Sequence, residues 1–519
     1  MGRTTKAWWN YLSSLAFTAV TVALGIVATP LFLRWLGDER FGAFRAATEW
    51  CGHLTLFELG LSGALAPLFA RAISRGDSRA VRALLVTGMR SYLGVTALML
   101  VTGAVLAAVI PHLVRVSPSL VGDLRWGCWA SLIGIMAMPL APFRWLAEAG
   151  QRTYLVNGLL LLQGVLVTAL GLLLAWSGWG IAGQFAAASL GILVFSVLVA
   201  LEGMRRYFGL RHSRVDDASL GTARREIWNL NWPSLICKLC GRVGLVTDNL
   251  LIAYILGPVA VVPFYLTQRL AVLVQGQLQG IGTASWAGLV ELAFKGQTET
   301  FNRRLIQLTA LVAVLGTAIL VPIACWNQRF IVLWVGPGCF GGECLTALAA
   351  VNGLLLAVFS LWGFVLSGTG HAARVMPAHV VAAVVNLTVS IVATHILGLV
   401  GPLVGTAAGF VSVNLWYLPW VLRELFGTSI RELVRAAALP ACLGVPYGVC
   451  LWWFAHALEP CGWLGLAAEM TMAVVVYLAL AWTLVLRRTE RREWMDRARV
   501  LWPSRFPLVI FPAAAATPK

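Results

Sequence analysis

The chain has 519 residues, 59% of them hydrophobic and 12% charged, with a mean hydropathy of +0.81. A water-soluble globular chain carries about 25% charged residues, so this composition excludes both a soluble enzyme and a disordered chain. The net charge is +17, from 39 Lys and Arg against 22 Asp and Glu, but the basic residues stand in short clusters between long apolar runs. That spacing orients the loops of a polytopic membrane protein and does not point to nucleic acid.

In chain order, the first basic residues, Arg3 and Lys6, precede an apolar stretch that runs to about Leu33 without a small-residue cleavage site. It reads as a retained first span and not as a signal peptide. A hydrocarbon core needs about 20 apolar residues per helix. That length predicts fourteen spans, at 11–33, 41–70, 84–110, 126–147, 154–176, 179–202, 228–256, 259–289, 304–325, 344–368, 377–398, 402–422, 436–456 and 463–486. The gaps on the N-terminal side hold 28 Lys and Arg, and the opposite gaps hold five, Arg34, Arg40, Arg115, Arg125 and Arg329. The asymmetry puts both termini in the cytoplasm.

The ten cysteines form no framework. Cys237 and Cys240 make a C-x-x-C with no second pair, which argues against zinc or redox work. Cys339 and Cys344 share an external loop, and pairing and free thiols both remain open. Trp8, Trp9, Trp35, Trp126, Trp176, Trp179, Trp326 and Trp334 fall near span ends, as interfacial belts do. The basic tail from Arg487 reads as lying on anionic lipid.

An offset of 220 residues brings two parts of the chain into register. Leu36-Gly37 falls on Leu256-Gly257, Phe44 on Phe264, Leu146 on Leu366 and Gly150 on Gly370. The same offset maps the first six spans onto spans seven to twelve. Two six-helix bundles in parallel repeat, flanking a central cavity, form a transporter architecture. The expected division is 1–210, 211–427, an appended helix pair at 428–486 and the basic tail 487–519.

The stretch T-P-L-F-L-R-W-L-G-D-E-R-F-G-A-F (Thr29–Phe44), followed by L-F-E-L-G-L-S-G-A-L (Leu56–Leu65), resembles the start of Wzx-type polysaccharide-export flippases of the MATE-like MOP exporter superfamily. Asp248–Gly257, Phe330–Gly336 and Gly398-x-x-Gly401 extend the resemblance over residues 10–425. It implies an all-α integral membrane fold that moves a polyprenyl-diphosphate-linked oligosaccharide from the inner to the outer leaflet of a bacterial inner membrane. The implied partners are that lipid-linked glycan and the bilayer, with a polysaccharide polymerase and a chain-length regulator as candidates. Drug exporters of the superfamily place an acid in the first span, and the peptidoglycan-precursor branch places arginines there. Residues 11–33 contain neither.

Ionisable side chains in the bilayer cost about 2.5–3.5 kcal/mol each on insertion scales, so each is a site candidate. Arg45, Glu49 and His53 stack at i, i+4 and i+8 on one helical face. Glu58 follows, then Lys238, Arg242 and Asp248 on the seventh span and Arg269 on the eighth. Arg45 and Glu49 have the alternative of neutralising each other, and His53 that of packing as a neutral hydrogen-bonder. Asp248 has the alternative of pairing with Arg242 or Arg269. Arg90 and Arg144 read as snorkelling to headgroups. The expected substrate contacts are Arg242, Arg269, Lys238 and Arg45, because guanidinium forks bind phosphate oxygens bidentately. The ion-coupling candidates are Glu49, His53, Glu58 and Asp248.

Flexure is expected at Pro139 and Pro142, at Pro233, and at Gly276, Gly280 and Gly282. No catalytic constellation, metal cluster or cofactor motif emerges. The competing classes are a cation-coupled exporter of small molecules and a membrane glycan polymerase or ligase. The latter needs a larger external loop than 111–125 or 326–343 provides.

Overall fold

The computed structural model describes residues 3–58, 60–206, 217–228, 235–237, 239–241, 247–457, 462–485 and 491. All regular structure among them is helical. The expected boundary at 210/211 and the tail 492–519 lie outside the described residues.

The helices in order are α1 (Arg3–Leu36), α2 (Asp38–His53), α3 (Leu61–Ser74), α4 (Ser78–Leu113), α5 (Val121–Ile135), α6 (Ala141–Ala149), α7 (Thr153–Trp176) and α8 (Gly180–Arg206). After α9 (Asp217–Trp228) come α10 (Asp248–Ile255), α11 (Pro258–Thr267), α12 (Arg269–Phe294), α13 (Thr298–Val335) and α14 (Glu343–Gly368). Then follow α15 (Ala372–Leu397), α16 (Gly401–Gly409), α17 (Leu415–Phe426), α18 (Ile430–Ala457) and α19 (Gly462–Leu484).

Among the described residues, ten helical stretches are long and apolar enough to cross a membrane, and eleven if the bent pair α11–α12 counts as one. Large apolar side chains stand uncovered along them, such as Val384, Ile396 and Leu464, the last 88% exposed. Water would not tolerate such a surface, whereas lipid requires it, with every backbone group satisfied inside a helix. The chain is a multi-pass membrane protein.

The difference from fourteen spans has local causes. The expected span 41–70 is broken: α2 runs into a 3₁₀ turn at Leu54–Glu58, and Gly60, at φ 77°, restarts the chain as α3. The 55-residue apolar stretch Ala372–Phe426 turns back on itself at Gly398, φ 63°. Its two arms touch closely: Ser390 Oγ donates to the Pro402 carbonyl at 3.3 Å, and a Cβ on Gly405 would lie 2.0 Å from Ser390 Oγ. Most of the expected seventh span, Pro233 included, lies outside the described residues.

The 220-residue offset recurs in the backbone. Gly37 and Gly257 both precede a helix with near-identical left-handed torsions, φ/ψ 77°/166° and 95°/162°. Gly76 and Gly296 (φ 66° and 68°), and Gly178 and Gly398 (φ 84° and 63°), are further pairs at that spacing. The helices that open at Ser78 and Thr298, and those that close at Arg206 and Phe426, keep it too.

The Gly37–Gly257 end is where the N-terminal and C-terminal helices meet. Ala43, Ala46 and Ala47 of α2, all fully buried, form one core with Ile252 and Ala253 of α10 and Val261 and Phe264 of α11. Small residues let these backbones approach closely, and a Cβ on Gly42 would sit 1.8 Å from the Pro258 carbonyl oxygen. Nearby, Trp334 Nε1 of α13 donates to the Ile26 carbonyl of α1 at 2.6 Å.

Two expectations are corrected and one open alternative is decided. The bend near the eighth span lies at Gln268, where α11 and α12 meet at 52°, and not at Gly276, Gly280 or Gly282, which fall inside uninterrupted α12. Trp326 and Trp334 are buried, because they pack in one core with α18 and α19 residues such as Ala455, Leu466 and Ala473, while Trp126, Trp176 and Trp179 are exposed as a belt requires. Of the two alternatives left open for Cys339 and Cys344, the structure has free thiols. The break at Pro139 and Pro142 is present, with a 3₁₀ turn at Met138–Leu140 separating α5 from α6.

Candidate functional site

The face of α2 that carries Arg45, Glu49 and His53 meets the C-terminal helices at three levels. At the first, the Arg45 guanidinium lies over the Tyr265 ring of α11, 3.9 Å from its centroid. Arg269, the first residue of α12, approaches the same ring at 5.7 Å. Its guanidinium lies near α1, 3.1 Å from where a Cβ on Gly25 would stand. Two cations on one ring are held by its quadrupole, although Arg45 Nε is buried without a hydrogen-bond partner.

One turn further, Asn249 of α10 donates its side-chain amide to the Glu49 carboxylate. Glu49 Oε2 and Asn249 Oδ1 are both buried and unpartnered. Among the described residues no ion pair joins Arg45 to Glu49, or Asp248 to Arg269. Arg45 and Glu49 thus make no direct ion pair: the guanidinium lies over Tyr265, and Asn249 donates to the carboxylate.

At the third level His53 Nδ1 donates to the Glu49 carbonyl at 2.8 Å. Its ring lines a cavity of about 460 Å³ with Trp50, Leu54, Phe57 and Glu58, and with Leu235 and Leu239. Glu58 stands apart from the Arg45–Glu49 cluster. It accepts from the Tyr92 hydroxyl of α4, which in turn accepts from Trp145 Nε1 at 3.3 Å.

The seam thus assembles two cations, Arg45 and Arg269, with two acids, Glu49 and Asp248. Lys238 and Arg242 lie outside the described residues. Arg144 pairs with Glu148 at 2.9 Å, and Arg90 lies away from the seam in a groove beside α9. A second cavity, of about 430 Å³, lies among the C-terminal helices, lined by Gln279, Ser360, His379, Asn386 and the free thiols Cys237 and Cys240. No cluster of three metal ligands occurs among the described residues.

Sequence reasoning missed Tyr265 and Asn249. The signal for Tyr265 was present: the 220-residue offset carries Arg45 onto Tyr265 and Glu49 onto Arg269. Residues related by the repeat meet where the two repeats touch.

This all-helical arrangement is shared with transporters of the MOP superfamily. The structure titled "Lipid II flippase MurJ, inward closed conformation" superposes with a TM-score of 0.68 at 12% identity, over 92% of this chain and all of that one. An inward-facing multidrug resistance MATE family transporter of the MOP superfamily superposes with a TM-score of 0.56 at 16% identity, over 85% and 98%. A MATE transporter of Vibrio cholerae gives 0.57 at 15% identity, over 83% and 98%. The family model described as "Polysaccharide biosynthesis protein" matches residues 7–287, and the chain belongs to that family. It is also similar to the "Uncharacterized membrane protein EpsK" of Bacillus subtilis (strain 168), 22% identical over 517 residues, covering 94% of this chain and 97% of that protein.

Proposed function

We propose that the protein flips a polyprenyl-diphosphate-linked oligosaccharide from the inner to the outer leaflet of a bacterial inner membrane, for surface polysaccharide biosynthesis. Two bundles, 1–210 and 211–427, rock about the seam, with 428–486 and 487–519 as appended pair and basic tail. Both termini face the cytoplasm, as the 28-to-5 excess of Lys and Arg favours. The seam at Gly37–Gly257 then lies on the outer side.

The observation that carries this reading is the pair of guanidiniums, Arg45 and Arg269, on the Tyr265 ring at the meeting of the two repeats. A cation–π contact is worth about 0.5–2 kcal/mol, less than a bidentate charge-assisted pair with phosphate. An incoming diphosphate therefore draws both forks off the ring and loosens the seam. Arg242 and Lys238 add cations to the same path. Glu49 and Asp248 are the groups placed to take up a proton as the anion enters. Membership in a polysaccharide biosynthesis family supports the cargo class, and the MurJ- and MATE-like fold supports alternating access. A polymerase and a chain-length regulator are the expected downstream partners.

The test is export in cells lacking the chromosomal copy. Arg45→Ala, Arg242→Ala and Arg269→Ala should each leave protein levels intact and accumulate lipid-linked repeat units in the inner leaflet. Normal export by all three would remove the phosphate-clamp reading. Sensitisation to cationic drugs without glycan accumulation would favour a small-molecule exporter.

A further inference from the structure

A second cationic site lies outside the seam. Between α4 and α9 the chain forms a groove of about 610 Å³ lined by Thr87, Arg90, Ser91 and Gly94 of α4 and by Asp217 and Arg224 of α9. The α4 residues recur at i, i+3, i+4 and i+7, so one helical face presents a guanidinium and two hydroxyls together. The opposite wall is held in place: Ala223 and Ile227 of α9 are buried in the core formed with Leu61, Leu65 and Leu84, and Trp228 Nε1 donates to Ser91 Oγ at 3.1 Å. A Cβ on Gly94 or Gly221 would meet nothing within 4 Å, so both glycines border open space.

Among the described residues neither Arg90 nor Arg224 makes an ion pair, with Asp217 or with any other acid. Two guanidiniums against one carboxylate leave the groove with net positive charge and unused forks. Phe57 lines both this groove and the seam cavity that holds His53 and Glu58. A single side chain, Phe57, thus borders both spaces.

We propose that this groove is an entry site for the diphosphate of a polyprenyl carrier, held by Arg90 and Arg224 before the headgroup passes Phe57 into the seam cavity. The proposal rests on the flippase reading and on its orientation, which put the groove on the cytoplasmic side. Charge-assisted bidentate hydrogen bonds from arginine suit a diphosphate, and Thr87 and Ser91 add neutral donors.

The test uses the full chain in phosphatidylcholine nanodiscs and farnesyl diphosphate, a short water-soluble polyprenyl diphosphate, as probe. The Arg90→Gln/Arg224→Gln double variant should weaken probe binding at least tenfold. Asp217→Asn should tighten it a few-fold, an opposite sign that misfolding would not give, and farnesol should not bind. Binding by the double variant within twofold of the parent overturns the entry site. So does an effect seen only when the discs contain phosphatidylglycerol, which would assign the groove to a bilayer phospholipid. If either occurs while Arg45→Gln/Arg269→Gln loses the probe, the flippase reading stands without the entry site. If the parent does not bind the probe at all, both fall.

Discussion

Asn249 donates its side-chain amide to the carboxylate of Glu49 across 200 residues of sequence, joining α10 to α2 at the seam. Each partner keeps one buried side-chain oxygen unpartnered, Asn249 Oδ1 and Glu49 Oε2. Truncating Asn249 orphans the carboxylate, at a cost of about 1–3 kcal/mol to the closed seam. Asn249→Ala should therefore move a two-state equilibrium toward the open seam by about five- to 150-fold. Glu49→Gln should do the reverse, because a glutamine amide gives Asn249 Oδ1 the donor it lacks. The readout is maleimide labelling of a cysteine at Phe41, with the ten native cysteines replaced. Labelling should rise in the first variant and fall below the parent in the second. Equal labelling in both would mean that the bond does not govern the seam.

Gly42 tests the same closure by steric means alone. Its absent Cβ would lie 1.8 Å from the Pro258 carbonyl oxygen, and backbone cannot swing aside as a side-chain tip can. Gly42→Ala should raise Phe41 labelling more than Asn249→Ala does and arrest transport with the seam open. Wild-type export by Gly42→Ala would show that this contact is not revisited in each cycle.

The helices, the repeat and the charged face of α2 were legible because each leaves a periodic or compositional mark. Apolar length marks spans, and left-handed glycines such as Gly37 and Gly257 mark turns. Arg45, Glu49 and His53 stand out because charge in an apolar run is costly. Asn249 was not legible, since a neutral amide beside Asp248 raises no such signal until its partner on α2 is seen. The break after His53 was hidden for a different reason. Leu54–Glu58 is apolar enough to continue a span, and only the left-handed Gly60 records that the helix stops. Buried Trp326 and Trp334 misled because a span end looks interfacial until another helix pair covers it.

Tyr92 connects Glu58 to Trp145. Its fully buried ring carries a hydroxyl that donates to Glu58 and accepts from Trp145 Nε1. Tyr92→Phe removes both bonds and leaves the carboxylate and the indole N–H without this partner, a cost of about 2–4 kcal/mol. Thermal unfolding of the detergent-purified variant should show a Tm lower by several degrees. Glu58→Gln, which keeps an acceptor for Tyr92, should lose less than half as much. A larger loss from Glu58→Gln than from Tyr92→Phe would mean that the charge of Glu58, and not its hydrogen bond, stabilises the 3₁₀ turn Leu54–Glu58 against α4.

Arg269 separates a phosphate clamp from a simple seam latch. Lysine keeps the charge and much of the attraction to the Tyr265 ring but loses the planar fork that meets phosphate bidentately. Under the clamp reading Arg269→Lys should cut export about tenfold, and Arg269→Gln should abolish it. Tyr265→Phe, which preserves the ring that holds Arg45 at 3.9 Å and Arg269 at 5.7 Å, should export almost normally. A latch predicts a different order, because it needs only charge and ring: Arg269→Lys would then match the parent, and Tyr265→Ala would be the damaging change. Measured inner-leaflet accumulation of lipid-linked units across these four variants, at matched expression, distinguishes the two.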